Sequence, residues 1–214
     1  MDSLTSHNWK LLMLAGALVS LLACPGPSEA QTVTGQASAV QATVLGVLGL
    51  GTTTALSDTG TLGGTSDARE ASLVTGTVPS LLTGEALHAV TIGWPDQVAS
   101  EASLGSLAMT VAGTGISADF VMARALSVLG SAGTGLTNIA GLTIGGVPVF
   151  PTGAPNQTLS LGVLSVVLNE QIPSVGGMTV NALHVKTLDG LTDVVIGSAK
   201  AAITSSTGSL PSLF

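Results

Sequence analysis

Short runs of alternating apolar and polar residues, separated by glycine-rich turns, are the feature that most constrains how this chain can fold. Because successive side chains of a strand point to opposite faces of a sheet, alternation with a period of two predicts half-buried β-strands. The runs on either side of turns such as Gly113-Thr114-Gly115 are too short for helices that are stable on their own. We predict strands at these positions: Thr32–Leu45, Glu70–Val78, Glu85–Ile92, Ser103–Ala112, Ile116–Leu126, Leu136–Val149, Thr158–Asn169, Met178–Thr187 and Asp193–Ile203.

The composition distinguishes a packed protein from a disordered one. Disordered chains combine low hydrophobicity with high net charge. This chain of 214 residues is 45% apolar and only 8% charged, and its mean hydropathy is +0.63. We therefore predict an all-β protein, an antiparallel β-sandwich or a barrel-like fold, with at most one or two short helices.

The strand Ile116–Leu126 illustrates how the core face is chosen. Alternation places Ile116, Phe120 and Met122 on one face, and the rarity of phenylalanine in this chain favours that face as the buried one. A helix over Ala118–Leu129 is the alternative, because alanine, methionine, arginine and leucine are good helix formers.

The first thirty residues have the pattern of an export signal. Lys10 precedes an apolar run, Leu11–Ala23, which is shorter than the roughly 20 residues that span a bilayer. Small residues follow at Ser28 and Ala30, so we predict cleavage after Ala30 and a mature chain that begins at Gln31. The predicted organisation is a signal peptide at 1–30, a Gly/Thr-rich N-terminal segment at 31–65 and a β-rich domain at 66–214.

Cys24 leaves a second interpretation of this segment open. It is the only cysteine, and it ends the apolar run as Leu21-Leu22-Ala23-Cys24, which is similar to a bacterial lipobox. Leu22 and the proline at Pro25 depart from that pattern. Cys24 is thus a candidate lipidation site, and this lipid would be the only expected contact with a membrane.

The charge pattern limits the partners that this chain can have. The net charge is −7 and the sequence contains no basic stripe. Nucleic acids and anionic membrane surfaces are therefore excluded as expected partners. Cell-envelope components or further copies of the chain are the partners that we expect.

The sequence contains no catalytic signature. It lacks a Gly-x-Ser-x-Gly elbow, a His-Glu-x-x-His helix, a phosphate-binding loop and an Asp-x-Asp-x-Asp calcium loop. We therefore predict that the protein is not an enzyme, with no catalytic residue, no cofactor and no metal site.

Two histidines lie in similar settings, since Ala-Leu-His occurs at both His88 and His184. If their strands paired, the two imidazoles could offer a metal two ligands, with Glu85 or Asp193 nearby. The interpretation that we favour is a structural histidine bonded to a backbone carbonyl at a strand edge.

Two other polar positions allow more than one interpretation. Glu170, within Asn169–Gln171, follows an apolar strand, and a catalytic carboxylate at a strand end is one hypothesis. A polar turn or a satisfied polar network is the interpretation that we favour. Trp94 is predicted to cap a strand end with its indole covering part of the core, and an exposed tryptophan that stacks on carbohydrate is the alternative.

Several segments of the sequence resemble the choice-of-anchor P family of bacterial surface proteins. The resemblance covers roughly Ser103–Ala202 and is carried by these segments: Leu142–Gly146, Pro155–Thr158, Asn169–Gln171 and Asn181–Ser198. It implies an exported domain whose relatives attach to the cell envelope in different ways, and it implies no catalytic activity or ligand.

These observations favour a secreted or cell-surface protein. We expect a structural or adhesive β-module of the bacterial envelope or the extracellular space. One alternative is a secreted module that binds a ligand or a glycan, and another is a secreted hydrolase on a β scaffold.

The export prediction has a direct test. We expect N-terminal sequencing of the exported protein to start at Gln31, because Ser28 and Ala30 occupy the positions that signal peptidase recognises. An exported chain that still begins at Met1 would contradict this prediction. A lipid on an N-terminal Cys24, detected by the mass of the intact protein, would establish the lipoprotein alternative instead.

Overall fold

The computed structural model describes residues 31–46 and 50–205, and these residues are organised as strands and turns. Within them no helix has the length and apolarity needed to cross a membrane. The described part contains the following thirteen strands: β1 (Gln31–Leu45), β2 (Gly51–Asp58), β3 (Ala68–Val78), β4 (Leu82–Gly93), β5 (Gln97–Val111), β6 (Thr114–Val128), β7 (Thr134–Ala140), β8 (Thr143–Ile144), β9 (Val147–Pro148), β10 (Gln157–Leu161), β11 (Leu164–Ser174), β12 (Gly177–Thr187) and β13 (Thr192–Ser205). The predicted all-β class is confirmed.

The strands form two antiparallel sheets that pack on each other as a sandwich. The first sheet has the order β10-β11-β12-β13-β1-β2. The second sheet has the order β3-β4-β5-β6-β8-β9, and β7 also pairs with β6. Leucine and isoleucine side chains fill the space between the sheets, and the largest fully buried ones include the following: Leu87, Leu104, Leu107, Ile116, Leu164, Leu168, Leu183, Ile196 and Ile203.

The N-terminal segment is part of this sandwich. β1 pairs with β13 from Gln31 opposite Ser205 to Val44 opposite Thr192, and β2 pairs with β1. The boundary that we expected at residue 65 therefore does not separate two parts of the structure. The sequence prediction also missed β2, a strand rich in threonine.

Two predicted strands have different boundaries in the structure. The run Thr158–Asn169 is a hairpin of β10 and β11, because Gly162, with φ +59°, turns the chain inside a nearly continuous apolar run. The run Leu136–Val149 is divided into β7, β8 and β9. The helix alternative for Ala118–Leu129 is wrong, since β6 continues to Val128.

The alternation of buried and exposed side chains inverts part-way along the strands of the first sheet. In β13 the buried apolar residues have even numbers before Gly197, namely Val194 and Ile196. After Gly197 they have odd numbers, namely Ala199, Ala201 and Ile203. Gly197 has φ +64°, a conformation that re-aims the side chains that follow, as a β-bulge does.

The same inversion occurs in neighbouring strands, and the residues at which it occurs form a row across the first sheet. Asn169, Gly197 and Ser57 have φ values of 51°, 64° and 48°, and they lie on alternate strands β11, β13 and β2. Ala182 and Ala39 lie between them on β12 and β1. The strand register is unchanged on both sides of these five residues, which we call the inversion row.

The second sheet contains a comparable inversion, and it corrects the predicted core face of β6. Ile116 is buried as expected, but Phe120 is 37% exposed and Met122 shares its outward face. Val121 is buried instead. The change occurs beside Ser106 of β5, which has φ +48°. The prediction is therefore wrong for Phe120 and Met122.

The positive φ at Gly197 should make this glycine difficult to replace. A Cβ on Gly197 would meet Ala182 at an ordinary distance of 3.4 Å, so backbone strain is the main cost of adding one. We expect Gly197→Ala to lower the free energy of unfolding by about 1–2 kcal/mol, as measured by urea denaturation. The control is Gly115→Ala in β6, where φ is negative and a Cβ would meet no atom within 4 Å. Equal effects of the two substitutions would contradict the strain argument.

Candidate functional site

Three neighbouring strands bring one histidine between two carboxylates. His184 lies in β12, Glu170 in β11 and Asp193 in β13. The His184 Nδ1 atom is 2.7 Å from Glu170 Oε2, and the His184 Nε2 atom is 2.8 Å from Asp193 Oδ1. The imidazole therefore links three strands on the face of the first sheet that points away from the second sheet.

Further hydrogen bonds extend this cluster to Asn181 and Ser198, which are in register with Glu170 on the neighbouring strands. Asn181 Nδ2 donates to Glu170 Oε2 at 2.6 Å, and Ser198 Oγ donates to Asn181 Oδ1 at 2.8 Å. We call these five residues, Glu170, Asn181, His184, Asp193 and Ser198, the His184 network. In addition, Lys186 Nζ lies 3.6 Å from Asp193 Oδ2.

The inversion row explains why these side chains can meet. Glu170 and Asn181 are in registered positions on one side of the row, and His184 lies on the other side. With regular alternation, Asn181 and His184, three residues apart, would point to opposite faces of the sheet. Because the alternation inverts between them, both point outward, and the bond from His184 to Glu170 crosses the row.

The hydrogen bonding of His184 favours a protonated ring. A neutral imidazole has one N–H, whereas both ring nitrogens of His184 face carboxylate oxygens. Burial, which leaves the side chain 9% exposed, opposes the charge, but the hydrogen bonds to Glu170 and Asp193 outweigh it and raise the pKa of His184 above its usual 6.5. The hydrogen bond from His184 lowers the pKa of Glu170 below its usual 4.5, although burial acts against this, and Asn181 adds to the lowering.

This geometry does not support the hypothesis that His88 and His184 lie on paired strands and bind one metal ion. His88 lies in β4 of the second sheet and His184 in β12 of the first sheet, so their strands do not pair. Among the described residues, no group of three or more histidine, cysteine or acidic side chains could hold a metal ion. The favoured interpretation of a histidine on a backbone carbonyl at a strand edge is also wrong, because β12 is an internal strand and the partners of His184 are carboxylates.

The structure also places Glu170 differently from the sequence interpretation. Asn169–Gln171 lies within β11, and it is neither a strand end nor a turn. The Glu170 carboxylate accepts hydrogen bonds from Asn181 and His184, as expected of a satisfied polar network. Glu170 and Asp193 were separate candidates in the sequence, and only the strand register shows that they contact one histidine.

Surface clefts lie elsewhere on the described part of the molecule. Three of them have volumes of about 540, 220 and 270 Å³, and no residue of the His184 network lines any of them. The 540 Å³ cleft lies at one end of the second sheet, where residues such as Thr77, Ser80, Met109 and Thr143 line it, and none of its lining residues is titratable. The 220 Å³ cleft includes Trp94, which follows β4 as expected but lines the outer face of the second sheet instead of the core.

Comparison with known proteins adds no relative from which a function could be inferred. No protein-family model, no curated protein and no solved structure matches this chain. The predicted signal peptide, including Cys24 and Ala30, lies outside the described residues, so cleavage and lipidation remain predictions.

The His184 network should make stability depend on pH in a defined direction. Because the folded-state pKa of His184 is raised, its contribution is complete below about pH 6.5 and is lost as the pH rises through the folded-state pKa. Because the pKa of Glu170 is lowered, its contribution is present above about pH 4.5 and is lost as the pH falls through the folded-state value. We expect His184→Gln to lower the free energy of unfolding by about 1.5–3 kcal/mol near pH 5.5.

Urea denaturation across the pH range tests this expectation. The difference between the wild type and His184→Gln should shrink above neutral pH. The control is His88→Gln, because the His88 side chain is 42% exposed and only approaches Glu70 at 3.4 Å. A difference that is constant from about pH 5 to 9 would show that His184 is not held in its charged form.

Proposed function

We propose that this protein is a structural or adhesive module of the bacterial cell envelope or extracellular space, without catalytic activity, and that it associates with further copies of itself through the free edge of β3. The observation that carries this proposal is the length of that edge together with the absence of charge from its residues 71–78. The arrangement of the titratable residues and the predicted export signal support it.

The arrangement of the titratable cluster supports a structural role over a catalytic one. In the His184 network each carboxylate is committed to a histidine nitrogen, and none of the five side chains lines any of the three clefts described above. A hydrolase that uses two carboxylates needs both of them to face a substrate across a cleft. Glu170 and Asp193 instead lie on opposite sides of one imidazole, which favours a structural role.

The edge strand β3 offers a surface for association. Among the described strands β3 pairs with β4 alone, so the backbone N–H and C=O groups along its other side have no strand partner there. Residues 71–78 carry no charge, and Val74 and Leu73 are 86% and 41% exposed. An exposed edge of this kind, without proline or inward-pointing charges, is a template for pairing with another strand.

The other edges of the two sheets are shorter. β3 has 11 residues, whereas β2, β7 and β10 have 8, 7 and 5 residues and β9 has 2. Short edge strands are one of the ways in which proteins limit unwanted pairing. A second copy can offer β3 itself in the antiparallel direction, and a two-fold axis then gives both copies the same contacts. We therefore choose a second copy as the partner of this edge.

Export of the module is supported by the sequence pattern and is compatible with the fold. All thirteen described strands lie after Ala30, so cleavage before Gln31 would leave each of them intact. The low charge content and the many threonine residues suit a domain stabilised by strand pairing and by an apolar core between two sheets.

Self-association through β3 is tested with a pair of matched substitutions. We expect Val74→Lys to weaken association by at least about tenfold, because a lysine on an edge strand opposes pairing. The control is Val175→Lys, since Val175 is also 86% exposed but lies in the turn between β11 and β12. Analytical ultracentrifugation of the full chain measures the dissociation constant of each variant.

The outcome that contradicts the proposal is equally specific. A wild-type protein that stays monomeric at concentrations up to about 1 mM would exclude association through this edge as a functional property. Equal weakening by the two lysine substitutions would indicate a general effect of charge and not pairing at β3.

A further inference from the structure

A second surface feature lies on the outer face of the second sheet, and it includes neither the His184 network nor residues 71–78 of the β3 edge. It is a cleft of about 220 Å³, and its walls include Trp94, Glu101 and Arg124. The strands β4, β5 and β6 form its base. Nothing in the proposed association through β3 uses this cleft.

The local structure explains why a cleft forms at this point of the sheet. Ala99 of β5 is in register with Ile92 of β4 and with Leu126 of β6, so a small side chain lies between two larger ones. Trp94 stands beside this depression because the chain turns directly after β4, where the Trp94 backbone N–H donates to the Gln97 carbonyl at 2.8 Å. Ala99 therefore forms the floor and the indole forms one wall.

Glu101 and Arg124, which also line the cleft, provide a hydrogen-bond acceptor and a hydrogen-bond donor. Glu101 and Arg124 are registered neighbours on β5 and β6 and point to the same face. Among the described residues, the Arg124 guanidinium has no carboxylate within 4.0 Å, and neither Glu101 nor the indole Nε1 atom of Trp94 makes a side-chain hydrogen bond. The cleft thus combines the indole of Trp94 with an arginine and a carboxylate that have no salt-bridge partner among the described residues.

We propose that this cleft binds a single neutral hexopyranose ring. The C–H face of a pyranose is apolar and flat, and it would stack on the Trp94 indole. Sugar hydroxyl groups both donate and accept hydrogen bonds, so they match the Arg124 guanidinium and the Glu101 carboxylate together. A cleft of about 220 Å³ is smaller than the roughly 300–1,000 Å³ of sites for drug-sized ligands, which fits one ring.

The charges of the cleft select a neutral sugar over an acidic one. Glu101 and Arg124 contribute opposite charges, so the cleft itself has no net charge to attract an anion. The net charge of −7 on the whole chain disfavours an acidic ligand further. A neutral hexose with several adjacent hydroxyl groups is therefore the ligand class that these groups recognise.

Tryptophan fluorescence provides a local probe of binding. The chain contains two tryptophans, Trp9 and Trp94, and no tyrosine. In the full chain with Trp9→Phe, the emission therefore reports on the cleft alone. We expect methyl glucopyranosides or methyl galactopyranosides to change this emission in a saturable way, with a dissociation constant on the order of 1 mM for so small a ligand.

Three substitutions connect the signal to the cleft. Ala99→Leu should abolish the change by filling the floor, and Glu101→Gln and Arg124→Gln should each weaken binding by about tenfold. The control for Ala99→Leu is Ser103→Leu, since Ser103 is on the same strand and the same face but does not line the cleft. Circular dichroism and thermal unfolding of each variant confirm that the fold is kept.

The results that would overturn the proposal are distinct from those that test association. An unchanged emission at up to about 50 mM of each glycoside excludes the site. If glycerol produces the same change in emission, or if the Ala99→Leu variant still shows this change, the signal comes from the solvent and not from a sugar in the cleft. Stronger binding of glucuronic acid than of the neutral glycosides would replace the neutral ligand class with an acidic one and so contradict the proposal.

Discussion

The rest of the structure depends on the row of residues at which the side-chain alternation of the first sheet inverts. On one side of this row, His184 and the residues in register with it on neighbouring strands point outward. On the other side, Asn181 and the residues in register with it point outward. Left-handed backbone at Asn169, Gly197 and Ser57 makes this change in alternate strands. Because β11, β12, β13, β1 and β2 all change at the same row, the ladder of backbone pairs keeps one register and both halves still bury apolar residues.

The inversion also creates a polar line across the outer face of the first sheet. The residues of this line are in register on five neighbouring strands: Glu170, Asn181, Ser198, Ser38 and Asp58. Side chains close to a sheet surface lose water, so each polar atom needs a partner within the protein. The His184 network supplies partners at one end of the line, and the hydrogen bonds from Gln36 and from the Gly60 backbone N–H to Asp58 supply them at the other. Removing His184 or Glu170 would leave the other, a nearly buried charge, without this partner, which costs more than an exposed ion pair contributes.

The sequence predicted the strands better than it predicted their faces. Alternation and glycine-rich turns gave the all-β class and the positions of β1, β4, β6, β12 and β13, because both signals are local. The buried face of β6 could not be predicted in the same way. Phe120 and Ile116 share a face only if the alternation continues through Asp119, and the inversion there depends on Ser106 of the neighbouring strand. The partners of His184 were hidden for the same reason, since pairing across β11, β12 and β13 is a long-range property of the sheet.

The two outer faces of the sandwich differ in how far their polar groups are satisfied within the protein. On the first sheet Glu170, Asn181 and His184 bind one another, and none of them lines the three clefts described above. On the second sheet Glu101 and Arg124 are neighbours without a salt bridge between them, and a small residue at Ala99 leaves space next to an indole. In a chain with only 8% charged residues, each charged side chain is a large fraction of the polar surface that a partner could recognise. The charges of Glu170, His184 and Asp193 are held by one another on the first sheet, whereas the recognition that we propose uses the outer face of the second sheet and the edge of β3.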